Sequence, residues 1–210
     1  MAMKLNIVIP CYNEEVVLYE TARQLSVVLD ELISKKKVDV CEIVFIDDGS
    51  KDKTWMIIED LQVTNHYVHG LKLAHNVGHQ NALWAGMEWS NGKCDAMVSM
   101  DADLQHDIHK IEDMVDAYHN GYEVVYGIRN SRKTDSAFKK RTALGFYTLM
   151  RKMGVDIIPN HADFRLMGSK ALQALMQYPE RNMFLRGMVR LIGFPSTEVY
   201  FDVQERFAGE

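Results

Sequence analysis

The sequence is poor in the features that mark several large classes of protein. It has three cysteines, Cys11, Cys41 and Cys94, spread far apart with no zinc-type spacing, which fits a reduced chain rather than a disulfide framework. No run of 18 apolar residues occurs, so no segment of it reads as a membrane span. The amino end lacks a basic stretch followed by an apolar core, so secretion is not expected. A net charge of −5 argues against a general nucleic-acid binder. Neither GxxxxGK[ST] nor GxGxxG is present, which removes the P-loop and the dinucleotide-binding turn as ways of holding a nucleotide. No internal repeat or low-complexity tract is visible. What is left is ordinary: 210 residues, 47% hydrophobic and 25% charged, enough for one α/β domain with a sizeable core.

Charge is unevenly spread. Residues 129–152 hold eight basic side chains against one acid, Asp135, a local +7 that leaves −12 for the remainder. Such a block calls for a partner or a structural reason.

Hydrophobic periodicity predicts an alternation of strands and helices. Apolar β-branched runs at 4–10, 41–47, 70–74, 94–100 and 122–129 read as strands. Between them, 14–32 carries Leu18, Ala22, Leu25, Leu29 and Leu32 at helical spacing, and 78–90 and 108–120 also read as helices. Ser50 or Asp52 is the candidate N-cap of a helix through Trp55, Ile58 and Leu61. After residue 129 the rhythm weakens: a polar loop at 131–136, a helix at 137–153, a short strand or turn at 162–168, helices at 170–177 and 183–191, and a last strand at 197–203. The alternation implies a mainly parallel α/β sheet with helices on both faces, and ligands of such sheets collect at the carboxyl ends of the strands. "PCYNEE", "DDGSKDKT" and "DADLQHD" all fall there.

Asp101 and Asp103, in "VSMDADLQHD", would face one way if Ala102 points away. Two hard oxygen ligands suit Mg²⁺ or Mn²⁺, with water and diphosphate oxygens completing the shell; a helix cap or a solvated loop explains the same pair. Asp47 and Asp48 end the neighbouring strand, where a carboxylate accepts from a base N–H, from ribose, or from a helix amino end.

Taken in order, "IVIPCYNEE", "VFIDDGSKDKT", "HNVGHQNALWAG", "MDADLQHD" and "ADFRLM" resemble a family 2 glycosyltransferase of the GT-A (Rossmann-like) fold, closest to the polyprenyl-phosphate, dolichol-phosphate mannose synthase-like branch. The resemblance covers nearly the whole chain. It implies one GT-A catalytic domain over 1–210, with 1–128 binding the nucleotide-sugar and 129–210 facing acceptor and membrane. It also implies a nucleotide-sugar donor (read as a UDP-sugar), a divalent metal, inversion, and a lipid-phosphate acceptor at the cytoplasmic side of the membrane.

By position, Pro10, Tyr12, Asn13 and Glu14 resemble the first nucleotide-binding loop, and Asp48 the base- or ribose-binding aspartate. Asp101 and Asp103, with Ala102 between and Gln105 beside them, match the metal and diphosphate motif. Asp163 and Arg165 match the acceptor-side "DFR" segment, so Asp163, Asp103 and Arg165 are the candidate catalytic residues. Arg129, Arg186 and Arg206 are candidate cations for the acceptor phosphate, whereas Arg132 reads as a solvated arginine. Two departures stand out: Asp107 and Ile108 replace a proline often found after "DADLQ-x", and His75 stands where the family commonly has an arginine. His75 with His79, and His106 with His109, have metal-ligand spacing but no evident third ligand. A basic helix interleaved with Phe138, Phe146 and Tyr147 fits an anionic membrane surface, and equally an ordinary core helix with solvated lysines. "QERFAGE" resembles the segment that precedes transmembrane helices in many members, so a truncated catalytic domain is expected. Two alternatives stand beside the lipid-phosphate reading: a saccharide hydroxyl acceptor in cell-surface polysaccharide synthesis, and a non-catalytic nucleotide-binding membrane module. A homo-oligomer is compatible with any of them.

Overall fold

The structure is a computed structural model and describes residues 3–130, 161–178 and 185–204. The expected loop at 131–136 and helix at 137–153, and with them Arg132, Arg206 and most of the basic block, lie outside the described residues. Seven strands form one sheet: β1 (Lys4–Cys11), β2 (Val40–Asp47), β3 (Val68–Lys72), β4 (Ala96–Ser99), β5 (Val124–Arg129), β6 (His161–Gly168) and β7 (Ser196–Phe201). Among the described residues six helices accompany them: α1 (Leu18–Ser34), α2 (Thr54–Thr64), α3 (His79–Ser90), α4 (Lys110–His119), α5 (Ser169–Met176) and α6 (Leu185–Leu191). The strand order is β3-β2-β1-β4-β6-β5-β7, and every neighbouring pair is parallel except the two made by β6. This is the mainly parallel α/β sheet expected from the pattern.

Strand alternation divides the interior into two cores. Ile7, Ile9, Phe45, Val98 and Phe164 face α1, α2 and α4. Val8, Val44, Ile46, Met97 and Tyr126 face α3, α5 and α6. Helix α1 buries Leu18, Thr21, Ala22, Leu25, Val28, Leu29 and Leu32, one stripe at helical spacing; each leucine contributes about 1.5–3 kcal/mol. It starts at Leu18 rather than at residue 14 because the preceding N–H groups are used elsewhere. Glu14 N–H donates to Thr54 Oγ1 (2.8 Å) and Glu15 N–H to Asp52 Oδ2 (3.2 Å), which docks the β1–α1 loop on the β2–α2 loop. Asp52 also accepts from Thr54 N–H (3.0 Å), while the cap position itself is Lys53, without a side-chain bond.

The chain crosses from edge strand β3 to β4, beside β1, through α3 on the second face. The order therefore reverses between β1 and β4, where ligands of open α/β sheets bind. Helix α3 lies close on the sheet because Gly86 has no side chain: a Cβ there would stand 2.4 Å from Val8 Cγ1 and 2.7 Å from Ile46 Cδ1.

A second packing point joins the loop after β4 to β6 and β7. The His106 ring stacks on Phe164 (centroids 5.1 Å, interplanar 12°) and meets Phe201 edge-on (5.5 Å, 79°). Burial, assisted by the Arg129 charge and opposed by Asp103 and Asp163, lowers the His106 pKa from 6.5 to about 4.

Two outcomes follow from these contacts. Gly86→Ala forces α3 away from β1 and β2 and lowers stability by about 1–3 kcal/mol in urea unfolding. The depressed His106 pKa favours the neutral folded form, so its contribution is complete above pH 6.5 and is lost as pH falls from 6.5 to about 4. That loss amounts to about 3 kcal/mol at 1.4 kcal/mol per unit. It is read as the acid dependence of unfolding in the wild type without added divalent cation, minus that of His106→Phe.

Candidate active site

The carboxyl ends of β1, β2 and β4 and the amino end of α3 enclose a cavity of about 280 Å³, lined by Pro10, Cys11, Tyr12, Glu14, Asp48, Asn76, Gly78, His79, Ala82, Asp101, Ala102 and Asp103. Seven of the expected residues thus share one cavity: Pro10, Tyr12, Glu14, Asp48, Asp101, Ala102 and Asp103.

Each is placed by a local contact. Pro10 pairs with Ile46 in the β1–β2 ladder, so the first loop opens directly above β2. Asn13 adopts φ 55°, its N–H donates to Ser50 Oγ (3.0 Å), and its Oδ1 accepts from Lys51 N–H (2.9 Å). Its side chain therefore holds two loops together and does not line the cavity. The Asp48 carboxylate is almost fully enclosed and accepts from Val77 N–H (2.7 Å) and Gly78 N–H (3.0 Å), where the chain enters α3. Asp47 turns back on its own loop and accepts from Ser50 N–H (3.1 Å). Gly49, at φ +66°, admits the β3–α3 loop: a Cβ there would lie 2.6 Å from Asn76 N. Asp48 thus ties down the segment that leads into α3 rather than capping the first turn of a helix.

On the acidic side, Thr21 Oγ1 of α1 donates to the Ala102 carbonyl (2.7 Å) and pins the loop between the two aspartates. Leu104 has φ 57°, a left-handed conformation that turns the chain so that Gln105 N–H reaches Asp103 Oδ1 (3.1 Å). Gln105 stands outside the cavity, and its carbonyl accepts from Gln204 N–H (3.0 Å) beyond β7.

Asp163 is the third residue of the antiparallel strand β6. Ser99 pairs with Arg165, and the Ser99 hydroxyl donates to the Asp163 carbonyl (2.6 Å), so Asp163 rises beside the loop that carries Asp101. One imidazole joins the two acids: His79 Nε2 lies 3.7 Å from Asp101 Oδ1 and 3.6 Å from Asp163 Oδ2. His106 Nε2 lies 3.7 Å from the other oxygen of Asp101. Arg165 is 0% exposed and does not line the cavity. Arg129 ends β5, half-buried, and its charge acts on His106. Arg186 lies on α6, with its side chain outside the described residues.

Cys11, Asn76, Gly78, His79 and Ala82 also line the cavity and are not among the expected site residues; His79 enters the sequence reading only as a metal pair with His75. The available signal was positional: "NVGHQ" lies between β3 and α3, at the same sheet edge as the acids. His75 does not line the cavity.

Among the described residues no group of three or more His, Cys, Asp or Glu side chains is arranged to hold a metal ion by itself. The chemistry of the donor set nevertheless fits a hard divalent cation: Asp101 and Asp103 offer carboxylate oxygens at one cavity wall, and Asp101 and Asp163 converge on one point. Among the described residues no helix is long and apolar enough to cross a membrane.

Comparison with known proteins accounts for this arrangement. The description "Glycosyl transferase family 2" matches residues 6–189. The uncharacterized glycosyltransferase YkoT of Bacillus subtilis is 55% identical over 207 residues, which are 98% of this chain and 61% of that protein. The bactoprenol glucosyl transferase of Shigella phage SfV is 37% identical over 211 residues, 99% of this chain and 66% of that protein. The chain thus spans about three-fifths of the length of the first of these relatives. Among solved structures, glucosyl-3-phosphoglycerate synthase from Mycobacterium tuberculosis, in complex with Mn²⁺, UDP and phosphoglyceric acid, superposes with a TM-score of 0.66 at 15% identity. The match covers 99% of this chain and 72% of that one, and it shares the GT-A fold. A match over most of the chain shows that this chain belongs to glycosyl transferase family 2.

Proposed function

We propose that this chain is the catalytic domain of an inverting glycosyltransferase that moves a sugar from a UDP-sugar to a polyprenyl phosphate at the cytoplasmic face of a membrane. One observation carries the reading: Asp101 and Asp103 line one cavity with Pro10, Tyr12, Glu14 and Asp48, and Asp163 meets Asp101 across His79 Nε2. The relative named as a bactoprenol glucosyl transferase supports the lipid acceptor, and the neighbour complexed with UDP and Mn²⁺ supports the donor and the metal.

On this reading the nucleoside lies against Pro10, Tyr12, Glu14 and Asp48. Asp48 keeps acceptor capacity, since a carboxylate has about four lone-pair sites and backbone N–H groups use two here. The diphosphate lies toward Asp101, Ala102 and Asp103. Mg²⁺ or Mn²⁺ would be held by Asp101 and Asp103 and, when bound, neutralises the leaving diphosphate. Asn13 and Gln105 act by holding the loops. Arg165 lies behind Asp163 on the same side of β6 and supports its position.

The acceptor phosphate has a second pKa of about 6 and arrives largely as a dianion. One of its oxygens attacks the anomeric carbon, the bond to the diphosphate breaks, and UDP leaves. No proton has to be removed from the nucleophile, so Asp163 orients the reactants and stabilises positive charge on the sugar. Arg129, Arg186 and Arg206 supply cations for the approaching phosphate. With a saccharide hydroxyl as acceptor, Asp163 would instead have to take a proton.

Two substitutions separate these readings in an assay of labelled sugar transfer to polyprenyl phosphate with Mn²⁺. Asp103→Asn lowers transfer at least about 10³-fold, and retained activity would remove the metal assignment. Asp163→Asn lowers kcat by about tenfold or less, whereas a fall of about 10³-fold or more favours a hydroxyl acceptor and a general base.

A further inference from the structure

The two oxygens of Asp101 are faced by two different imidazoles. His79, 44% exposed, approaches Oδ1 from the cavity side. His106 approaches Oδ2 from behind, and its side chain is 0% exposed. Neither ring nitrogen of His106 has a hydrogen-bond partner among the described residues, and the ring lies between Phe164 and Phe201. Enclosing an imidazole among aromatic rings costs about 1–3 kcal/mol for each polar atom left unpaired. A phenylalanine or leucine would fill the same space without that cost. The acidic oxygen that Nε2 faces is Asp101 Oδ2.

The geometry points to His106 as a positioning residue for Asp101: its Nε2–H, held in place by Phe164 and Phe201, directs Oδ2 inward and leaves Oδ1 for the cavity. This role rests on the reading of Asp101 as part of the metal–diphosphate anchor. His106 itself touches neither donor nor acceptor. A neutral donor suits the task better than lysine or arginine, because it orients the carboxylate without cancelling the charge that attracts a cation. At 3.7 Å the contact is longer than a formed hydrogen bond, so it orients Oδ2 by its dipole. The aromatic clamp also links this orientation to β6 and β7, because Phe164 adjoins Asp163 and Phe201 ends β7.

The test compares the wild type with Asp101→Asn, His106→Phe and His106→Gln, using Mn²⁺ binding in the presence of UDP, followed by the paramagnetic resonance of free Mn²⁺, and thermal unfolding at pH 7.5. His106→Phe keeps the stacked ring and removes the donor. It is expected to unfold at or above the wild-type temperature while its Mn²⁺ dissociation constant rises 10- to 100-fold. His106→Gln restores an N–H without the ring. It is expected to be less stable yet to bind Mn²⁺ more tightly than His106→Phe. Wild-type Mn²⁺ affinity in His106→Phe overturns the proposal, and so does a loss of affinity that follows the loss of stability across the two variants. Should His106→Phe fail to fold, His106→Gln decides alone: affinity within about threefold of the wild type supports the role, and a larger loss overturns it. If the wild type binds Mn²⁺ no better than Asp101→Asn, the metal reading of Asp101 fails and the role of His106 falls with it. The wild-type arm therefore separates the two failures.

Discussion

The direction of β6 is the constraint on which the site depends. Every other neighbouring pair in the sheet is parallel, so the carboxyl ends of β1, β2 and β4 share one edge, and β6 alone brings its beginning there. Run the other way, the strand would carry Asp163 roughly 15–20 Å down the sheet, at about 3.3 Å per residue. The pairing of Ser99 with Arg165, fastened by the Ser99 hydroxyl on the Asp163 carbonyl, sets Asp163 against the loop of Asp101. Both carboxylates come within 3.7 Å of His79 Nε2, and like charges gathered around one point repel. Ladder hydrogen bonds and the apolar layers on both faces of the sheet hold them there.

Polar loop residues serve the architecture as much as the chemistry. Asn13, Ser50, Lys51, Glu14, Thr54, Glu15 and Asp52 exchange hydrogen bonds across the β1–α1 and β2–α2 loops. Asp48 does the same for the entry to α3, which sets Asn76, Gly78 and His79 into the cavity wall. A motif residue can therefore act one step from the ligand, by fixing a loop whose backbone or neighbour makes the contact. Asn13 is the clear case: it stands in the expected loop, yet its Oδ1 is taken by Lys51 N–H.

Much of the frame was legible from residue pattern because burial on both faces leaves continuous apolar runs. β1, β2 and β4 read directly, and so did the α1 stripe. The convergence of "PCYNEE", "DDGS" and "DADLQ" followed from the rule that loops at strand carboxyl ends share an edge. Less legible was whatever pattern does not encode. Period-two alternation is the same in either direction, so "ADFRLMG" could be read as a short strand or turn but not as antiparallel. The start of α1 was misplaced because its leading N–H groups bond to side chains about 40 residues away. His79 and His106 gave only helical spacing to judge by, and that spacing compared each with the wrong partner: His75 and His109 rather than the two sides of Asp101.

The balance of charge ties these features together. Four carboxylates, Glu14, Asp48, Asp101 and Asp103, line the cavity, a fifth, Asp163, stands beside His79, and of the two imidazoles beside Asp101 the inner one is buried among aromatic rings. Such an edge attracts a divalent cation and repels a phosphate dianion. On the reading proposed above, a divalent cation offsets the two charges of Asp101 and Asp103, so it has to be in place before the acceptor phosphate can approach. Arg129, at the end of β5, is close enough for its charge to act on His106. The same field would hold an acceptor phosphate away from an empty site, so the order of binding follows from placing the acids before the cations.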